Sequence, residues 1–176
     1  MYARIKSIFF IIKPACRVSR GVNWEIGVCE SWYQSDAASV PFDENEFDVV
    51  FCQHGLQFFP DRLAALKEMY RVLIPNGRIA VSVWRALDRC PFLAILGDVL
   101  GRYLGESFRA AFNASCLLHD REEIRETIGN AGFHDINIRL ELSVSRYPSL
   151  DDFLPGYLFI FSIKILFCNM VAWPIR

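Results

Sequence analysis

Glycine is scarce where a nucleotide-binding turn would need it. Upstream of Ser31 only Gly21 and Gly27 occur, with no Gly-x-Gly between them. The first thirty residues therefore lack the turn that lets backbone amides close on a phosphate at a helix N-terminus. A nicotinamide-dependent oxidoreductase needs that fingerprint, and no Tyr–Lys pair suited to its chemistry is evident, so that reading loses its footing. Cysteine clusters are also lacking. The six cysteines, Cys16, Cys29, Cys52, Cys90, Cys116 and Cys168, are scattered without a Cys-x-x-Cys pair. This excludes the common zinc spacings and leaves no metal site to propose, and the thiols read as buried and reduced in a cytoplasmic protein. No basic tract is present and the net charge is -1, so nucleic acid is excluded as a default partner.

Long apolar runs are missing as well. Ser7-Ile-Phe-Phe-Ile-Ile12 follows Arg4 and Lys6 but is stopped by Lys13 and Pro14. A signal peptide needs about 7–15 apolar residues and a small-residue cleavage site, so a buried strand fits this run better. Tyr157 to Trp173 is apolar and aromatic but is interrupted by Lys164 and Asn169. A membrane span needs about 20 mostly apolar residues, so no integral span is expected. The tail is expected to pack on the sheet instead.

What remains is a 176-residue chain, 53% hydrophobic, long enough for one domain with a sizeable core. Three zones differ in character. Residues 1–30 form an atypical N-terminal segment without clear period. Residues 31–155 are locally consistent, and residues 156–176 are an apolar tail. In the middle zone Ser31–Gln34 suggests a short strand ending at Ser35-Asp36, followed by a connector to Glu46. Phe47-Asp-Val-Val-Phe-Cys52 is a continuous apolar run, as in a parallel strand buried on both faces. Asp61 is placed to cap a helix whose apolar face is Leu63, Leu66, Met69, Tyr70 and Leu73. Pro75-Asn76-Gly77 ends it with turn residues, and Arg78 to Trp84 reads as the next strand. Strand, helix and strand with short connections make a βαβ unit, so the strands near 47–52 and 78–84 are expected parallel and adjacent or nearly so. A helix is expected over 91–103 with Leu93, Leu96, Val99, Leu100 and Tyr103 on one side. Another starts at Asp120, with Glu123 completing a capping-box-like pattern, Ile124, Ile128 and Ala131 inward and Gly132 at its end. Alternation from Ile136 to Val144 suggests a half-buried antiparallel strand late in the sheet.

Ligands of open α/β sheets bind outside the carboxyl ends of the strands, which singles out Asp36-Ala37, Cys52 to Gln57, and Trp84-Arg85. Asp36-Ala37, Val40-Pro41-Phe42, Phe47-Asp48-Val49-Val50, Cys52-Gln-His-Gly-Leu-Gln-Phe-Phe-Pro-Asp61, Arg71-Val72-Leu73 and Pro75-Asn76-Gly77-Arg78, in this order, resemble the class I S-adenosylmethionine-dependent methyltransferases of the ubiquinone/menaquinone-biosynthesis type. Asn76 departs from the family's Gly-Gly turn. The resemblance implies a partial Rossmann-like sheet, mostly parallel with a late antiparallel strand and helices on its faces. It also implies S-adenosylmethionine as cofactor and methyl transfer to a small-molecule substrate.

Roles follow from the same resemblance. The Asp36 carboxylate would accept from the adenine amino group and the Ala37 amide would donate to a ring nitrogen; the alternative is that Asp36 only caps a loop. Gln53, His54 and Gly55 would line the cofactor. His54 would serve as general base, or only pack against the methionine part. Gln57, Trp84 and Arg85 would border the substrate, with Trp84 as ordinary core the alternative. The family's glycine loop and ribose-binding acid have no counterpart here, so the chain is expected to be a truncated back half whose site is impaired. The alternative is a non-catalytic fragment or interaction subunit, oligomerising through an open sheet edge.

Overall fold

The computed structural model describes residues 7–11, 16–23, 28–142 and 149. The chain divides into two compact units, Met1–Ile138 and Arg139–Arg176, and every element below lies in the first. Strands β1 (Ser7–Ile11), β2 (Cys16–Asn23), β3 (Val28–Ser35), β4 (Phe47–Gln53) and β5 (Leu73–Ser82) form one sheet in the order β3-β2-β1-β4-β5. β1 with β4 and β4 with β5 are parallel, whereas β1 with β2 and β2 with β3 are antiparallel.

Connection length accounts for these directions. Four residues separate β1 from β2 and four separate β2 from β3. So short a link joins antiparallel neighbours, while a parallel pair needs a crossover of about a dozen residues or more. β4 and β5 have such a crossover in helix α1 (Arg62–Val72), so the expected parallel, adjacent pair is present. The side of β4 away from β5 is covered by β1, and the sheet's edges among the described residues are β3 and β5. The open edge expected beside the 47–52 strand is thus filled by residues from the N-terminal thirty.

Helix α1 forms because Asp61 caps it, its Oδ1 accepting from the Ala64 N–H at 2.8 Å. Its buried residues are Ala65, Leu66, Met69 and Val72; Leu63 packs on the core and Leu73 is buried as expected, and only Tyr70 departs from the expected face. Tyr70 is turned outward, edge-on to Phe133 at 5.1 Å. Strand β5 begins directly at Leu73, earlier than expected, and contains the turn. Phe47 pairs with Leu73 and Val49 with Arg78, so five steps on β5 oppose two on β4. The extra residues bulge at Pro75-Asn76-Gly77, where Asn76 takes a left-handed φ of 66°, a conformation Asn tolerates better than most residues. Phe47, Val50 and Cys52 of β4 and Leu66, Met69 and Val72 of α1 are fully buried and make the centre of the core.

Beyond β5 come α2 (Pro91–Leu104), α3 (Glu106–Ala114) and α4 (Arg121–Asn130). α3 was not foreseen from the sequence. On α2 the buried residues are Leu93 and Gly97, while Val99 and Tyr103 are exposed, so the expected apolar side is only partly the inner one. α4 buries Ile124 and Ile128, with Ala131 buried just after it. Its cap is half the expected box. Asp120 accepts from the Glu122 and Glu123 amides, but the Glu123 carboxylate pairs with Arg62 at 3.1 Å.

The late antiparallel strand does not form over residues 136–142, and Val144 lies outside the described residues. The alternation correctly marks burial, since Ile136 and Ile138 pack on the core. However, their carbonyls accept from Arg125 at 2.8 Å and Arg121 at 3.1 Å rather than from a neighbouring strand. The reversed strand of the sheet is instead the early β2, antiparallel to both β1 and β3. The tail 157–173 lies outside the described residues, and no helix among those described is long and apolar enough to cross a membrane.

Candidate functional site

The register brings one edge of the sheet to a common level. Tyr33, Val18, Phe10, Cys52 and Val81 are successive Cα partners across all five strands. Since β1, β3, β4 and β5 run in one direction, Asp36, His54 and Trp84 follow that row by two or three residues and emerge on the same side. Only β2 is reversed, presenting Cys16 at this edge and sending its carboxyl end, Asn23, to the opposite one. β3 and β4 are three ladders apart, about 14 Å at the usual strand spacing.

After β4 the chain turns sharply. His54 sits at φ 49°, the left-handed region that costs a non-glycine residue on the order of 1 kcal/mol and persists only where surroundings enforce it. Three contacts enforce it. The His54 N–H donates to the Ser82 carbonyl at 2.9 Å, and its own carbonyl accepts from Gln57 Nε2 at 3.1 Å. Its ring stacks on Trp84 with centroids 4.3 Å apart and planes 9° from parallel. Gly55 is buried and its carbonyl accepts from Phe58 in a single 3-10 turn over Leu56–Phe58. Gln57 is buried and fixes the loop from inside. Gln53, Trp84 and Arg85 are exposed. Gln57 Oε1 and the Ser35 and Ser82 hydroxyls are buried with no hydrogen-bond partner among the described residues.

After β3, Asp36 is exposed and Ala37 buried. Asp36 Oδ1 accepts from the Ala38 N–H at 2.9 Å, so the loop-capping role is realised, and a short Asx turn presents the carboxylate at the edge. The connector behind it is held by a pair the sequence reading overlooked. Glu68 accepts from the Val40 N–H at 3.0 Å and from Arg71 Nε and Nη2 at 2.8 and 2.7 Å. Arg71 Nη2 also donates to the Phe42 carbonyl at 2.8 Å, and the Arg71 and Val72 carbonyls accept from Asn45 and Glu46. The hydrogen bonds from Arg71 hold the Glu68 carboxyl below its ordinary range against the opposing effect of burial, and Glu68 holds the Arg71 guanidinium above its own. The only local signal was the i, i+3 spacing of opposite charges on α1. An open cleft of about 510 Å³ runs along this connector, lined by Tyr33, Val40, Pro41, Phe42, Asp43 and Glu46. It contains none of the expected site residues.

Comparison with known proteins points to one family. The methyltransferase domain family matches residues 14–81, from just before β2 through most of β5. Over these residues the chain is similar to that family. The match begins well before Ser31, so the resemblance reaches into the segment read as atypical. Over 53 residues the chain is 49% identical to the chloroplastic 2-phytyl-1,4-beta-naphthoquinone methyltransferase of Arabidopsis thaliana, covering 30% of this chain and 20% of that one. It is 32% identical over 121 residues to a demethylmenaquinone methyltransferase of Staphylococcus carnosus, covering 60% and 48%. Among solved structures, a S-adenosylmethionine-dependent methyltransferase from Thermotoga maritima aligns at 24% identity and a TM-score of 0.41, over 56% of this chain and 44% of that chain. The chain thus spans half or less of the length of these curated relatives.

S-adenosylmethionine, the family's cofactor, meets a partial fit here. At the adenine end Asp36 offers an exposed carboxylate beside the buried Ala37. In the middle, where a methyltransferase domain carries its glycine loop, the link between β1 and β2 is Ile12-Lys-Pro-Ala15. The reversal of β2 also removes a strand end that would deliver an acid to the ribose. The residues present would therefore suit the adenine end of the cofactor and offer no glycine loop at its centre.

Proposed function

We propose that this chain supplies the adenine-side and acceptor-side portions of a S-adenosylmethionine-dependent methyltransferase site acting on a small molecule. Asp36 and Ala37 face the adenine. Gln53, His54 and Gly55 flank the methionine part, and Trp84 and Arg85 border the acceptor. The observation that supports this most is the single edge at which Asp36, His54 and Trp84 emerge from three strands running in the same direction. The names of the relatives suggest an acceptor of the quinone class. His54 as general base belongs to the same proposal, and the scattered cysteines favour a cytoplasmic setting. A second reading, a non-catalytic partner of another methyltransferase chain, is favoured by the glycine-free link between β1 and β2.

Titration calorimetry with S-adenosylmethionine and S-adenosylhomocysteine tests the proposal. Absent glycine-loop and ribose contacts, each worth about 1.5–3 kcal/mol when charged groups take part, should weaken binding by orders of magnitude, since about 1.4 kcal/mol is tenfold. Binding near the millimolar range is expected, together with its loss in Asp36→Asn. Asparagine keeps an oxygen to cap the Ala38 amide, so that variant separates adenine recognition from loop folding. Micromolar affinity, or affinity unchanged in Asp36→Asn, would refute the assignment.

A further inference from the structure

We propose that the stacked His54–Trp84 pair is an aromatic platform on which a flat methyl acceptor lies face to face, an assignment that rests on the methyltransferase reading above. Four observations converge on it. The two rings stack with nearly parallel planes, 9° apart at a centroid distance of 4.3 Å, a geometry in which each ring holds the other's orientation. The pair stands just past the carboxyl ends of β4 and β5, neighbouring parallel strands, where α/β sheets receive ligands. Trp84 keeps 39% of its surface open to solvent although it is one of the largest apolar side chains in the unit. His54 is held in a left-handed conformation by bonds to Ser82 and Gln57, and strain of this kind concentrates at ligand-binding positions.

The arrangement distributes roles. Trp84 offers the flat contact surface. His54 backs the indole and fixes its plane, and the buried Gln57 fixes His54 in turn. None of the three need exchange a proton for this, so they are specificity and positioning residues for the acceptor. Aromatic faces stack on planar π-systems and discriminate poorly among their substituents. Such a platform therefore selects for ring flatness and leaves the choice among flat rings to other groups.

The experiment compares 1-naphthol, a flat fused ring kept under inert gas against oxidation, with saturated decahydro-1-naphthol of similar size. Calorimetry on the full chain is the readout, because Trp24, Trp32 and Trp173 would blur a fluorescence signal. We expect 1-naphthol to bind at least about tenfold more tightly, a gap of about 1.4 kcal/mol. Trp84→Leu should erase that preference and Trp84→Phe should keep most of it, while thermal unfolding stays close to that of the unsubstituted chain. His54→Ala, which leaves the indole unsupported, should reduce the preference without removing it, and it serves if Trp84→Leu fails to fold. Equal binding of the two probes, no binding of 1-naphthol, or a preference that survives Trp84→Leu would overturn the platform. A flat-ring preference without any binding of S-adenosylmethionine would refute the cofactor assignment alone. Cofactor binding without the preference would refute only the platform.

Discussion

Replacing Glu68 by alanine should be among the most damaging single changes at a residue with no place in the core. Glu68 accepts three hydrogen bonds, from the Val40 amide and from two nitrogens of Arg71. Its side chain is 14% exposed and that of Arg71 is 37%. Removing one partner of a fully buried pair costs about 3–5 kcal/mol, and an exposed pair contributes about 0–1. The half-open guanidinium places this pair between those limits. Stranding the Val40 N–H adds part of a desolvation cost. A loss of about 1.5–3 kcal/mol follows, or about 3–12 °C in melting temperature at roughly 2–4 °C per kcal/mol for a chain of this size. Urea unfolding followed by circular dichroism would show a lower midpoint at unchanged slope. The pair also sets a pH dependence. Because the folded-state pKa of Glu68 is depressed, its contribution is present above the unfolded value of about 4.3 and fades as pH falls through the lower folded value. Glu68→Gln should flatten that part of the stability profile below pH 5. A midpoint shift worth less than about 0.5 kcal/mol, within the range of ordinary surface substitutions, would refute the clamp.

Other positions offer independent checks. A Cβ on Gly77 would meet the Ile74 carbonyl oxygen and a Leu73 methyl at 2.9 Å each, so Gly77→Ala should cost about 1–3 kcal/mol by overpacking, and an unchanged thermal melt would contradict the β5 turn. Burial, with Cys90 nearby, raises the Cys116 thiol to about 11, which at pH 7.5 leaves its thiolate more than ~100-fold scarcer than that of an ordinary cysteine near 8.5. Alkylation by iodoacetamide followed by peptide mapping should find Cys116 spared, and rapid labelling in folded protein would disprove its burial. Arg62→Ala removes a half-exposed partner of Glu123 and should change stability by less than about 1 kcal/mol; a larger loss would show that the bond between α1 and α4 matters more than its exposure suggests.

What was legible in the sequence was mostly local. Asp61 and Asp120 cap the helices they were expected to cap, because a short polar oxygen before an apolar period suffices to start a helix. The βαβ unit was legible because a buried apolar strand, an amphipathic helix and a turn followed one another within about forty residues. Harder to see were features set by distant partners. β2 lies in a stretch without a clean period, and although short strands were expected at Ser7–Ile12 and Ser31–Gln34, their places in the sheet depend on the ladders β1–β4, β1–β2 and β2–β3, which no local pattern encodes. Residues 136–142 carry a strand's alternation but not its hydrogen bonds, because two arginines of α4 take their carbonyls. Tyr70 fits the apolar period of α1 yet faces outward, since Phe133 arrives from another part of the chain to meet its ring. At the site, Asp36, His54 and Trp84 were chosen through family resemblance, and their position at strand ends is visible in the fold. Glu68 was invisible because its partners, Val40 and Arg71, meet only when the connector closes on α1.

The reversed β2 gives this edge its particular character. In a doubly wound sheet of order 3-2-1-4-5, every strand sends its carboxyl end to the ligand side. Here the order is kept, but two four-residue links replace the crossovers, and one strand in five must turn back. The ends of β3, β4 and β5 still deliver Asp36, His54 and Trp84. The strand between β3 and β1 delivers the start of its run, at Cys16, in place of its end. On the proposed assignment the outer parts of a long ligand would meet these side chains, while its centre would meet a link without glycine. By the same assignment, such a site would favour ligands that are flat or carry an amino-purine over those that depend on a gripped ribose. A cofactor grip of the doubly wound kind would require parallel crossovers on both sides of β2, because no single substitution can reverse a strand.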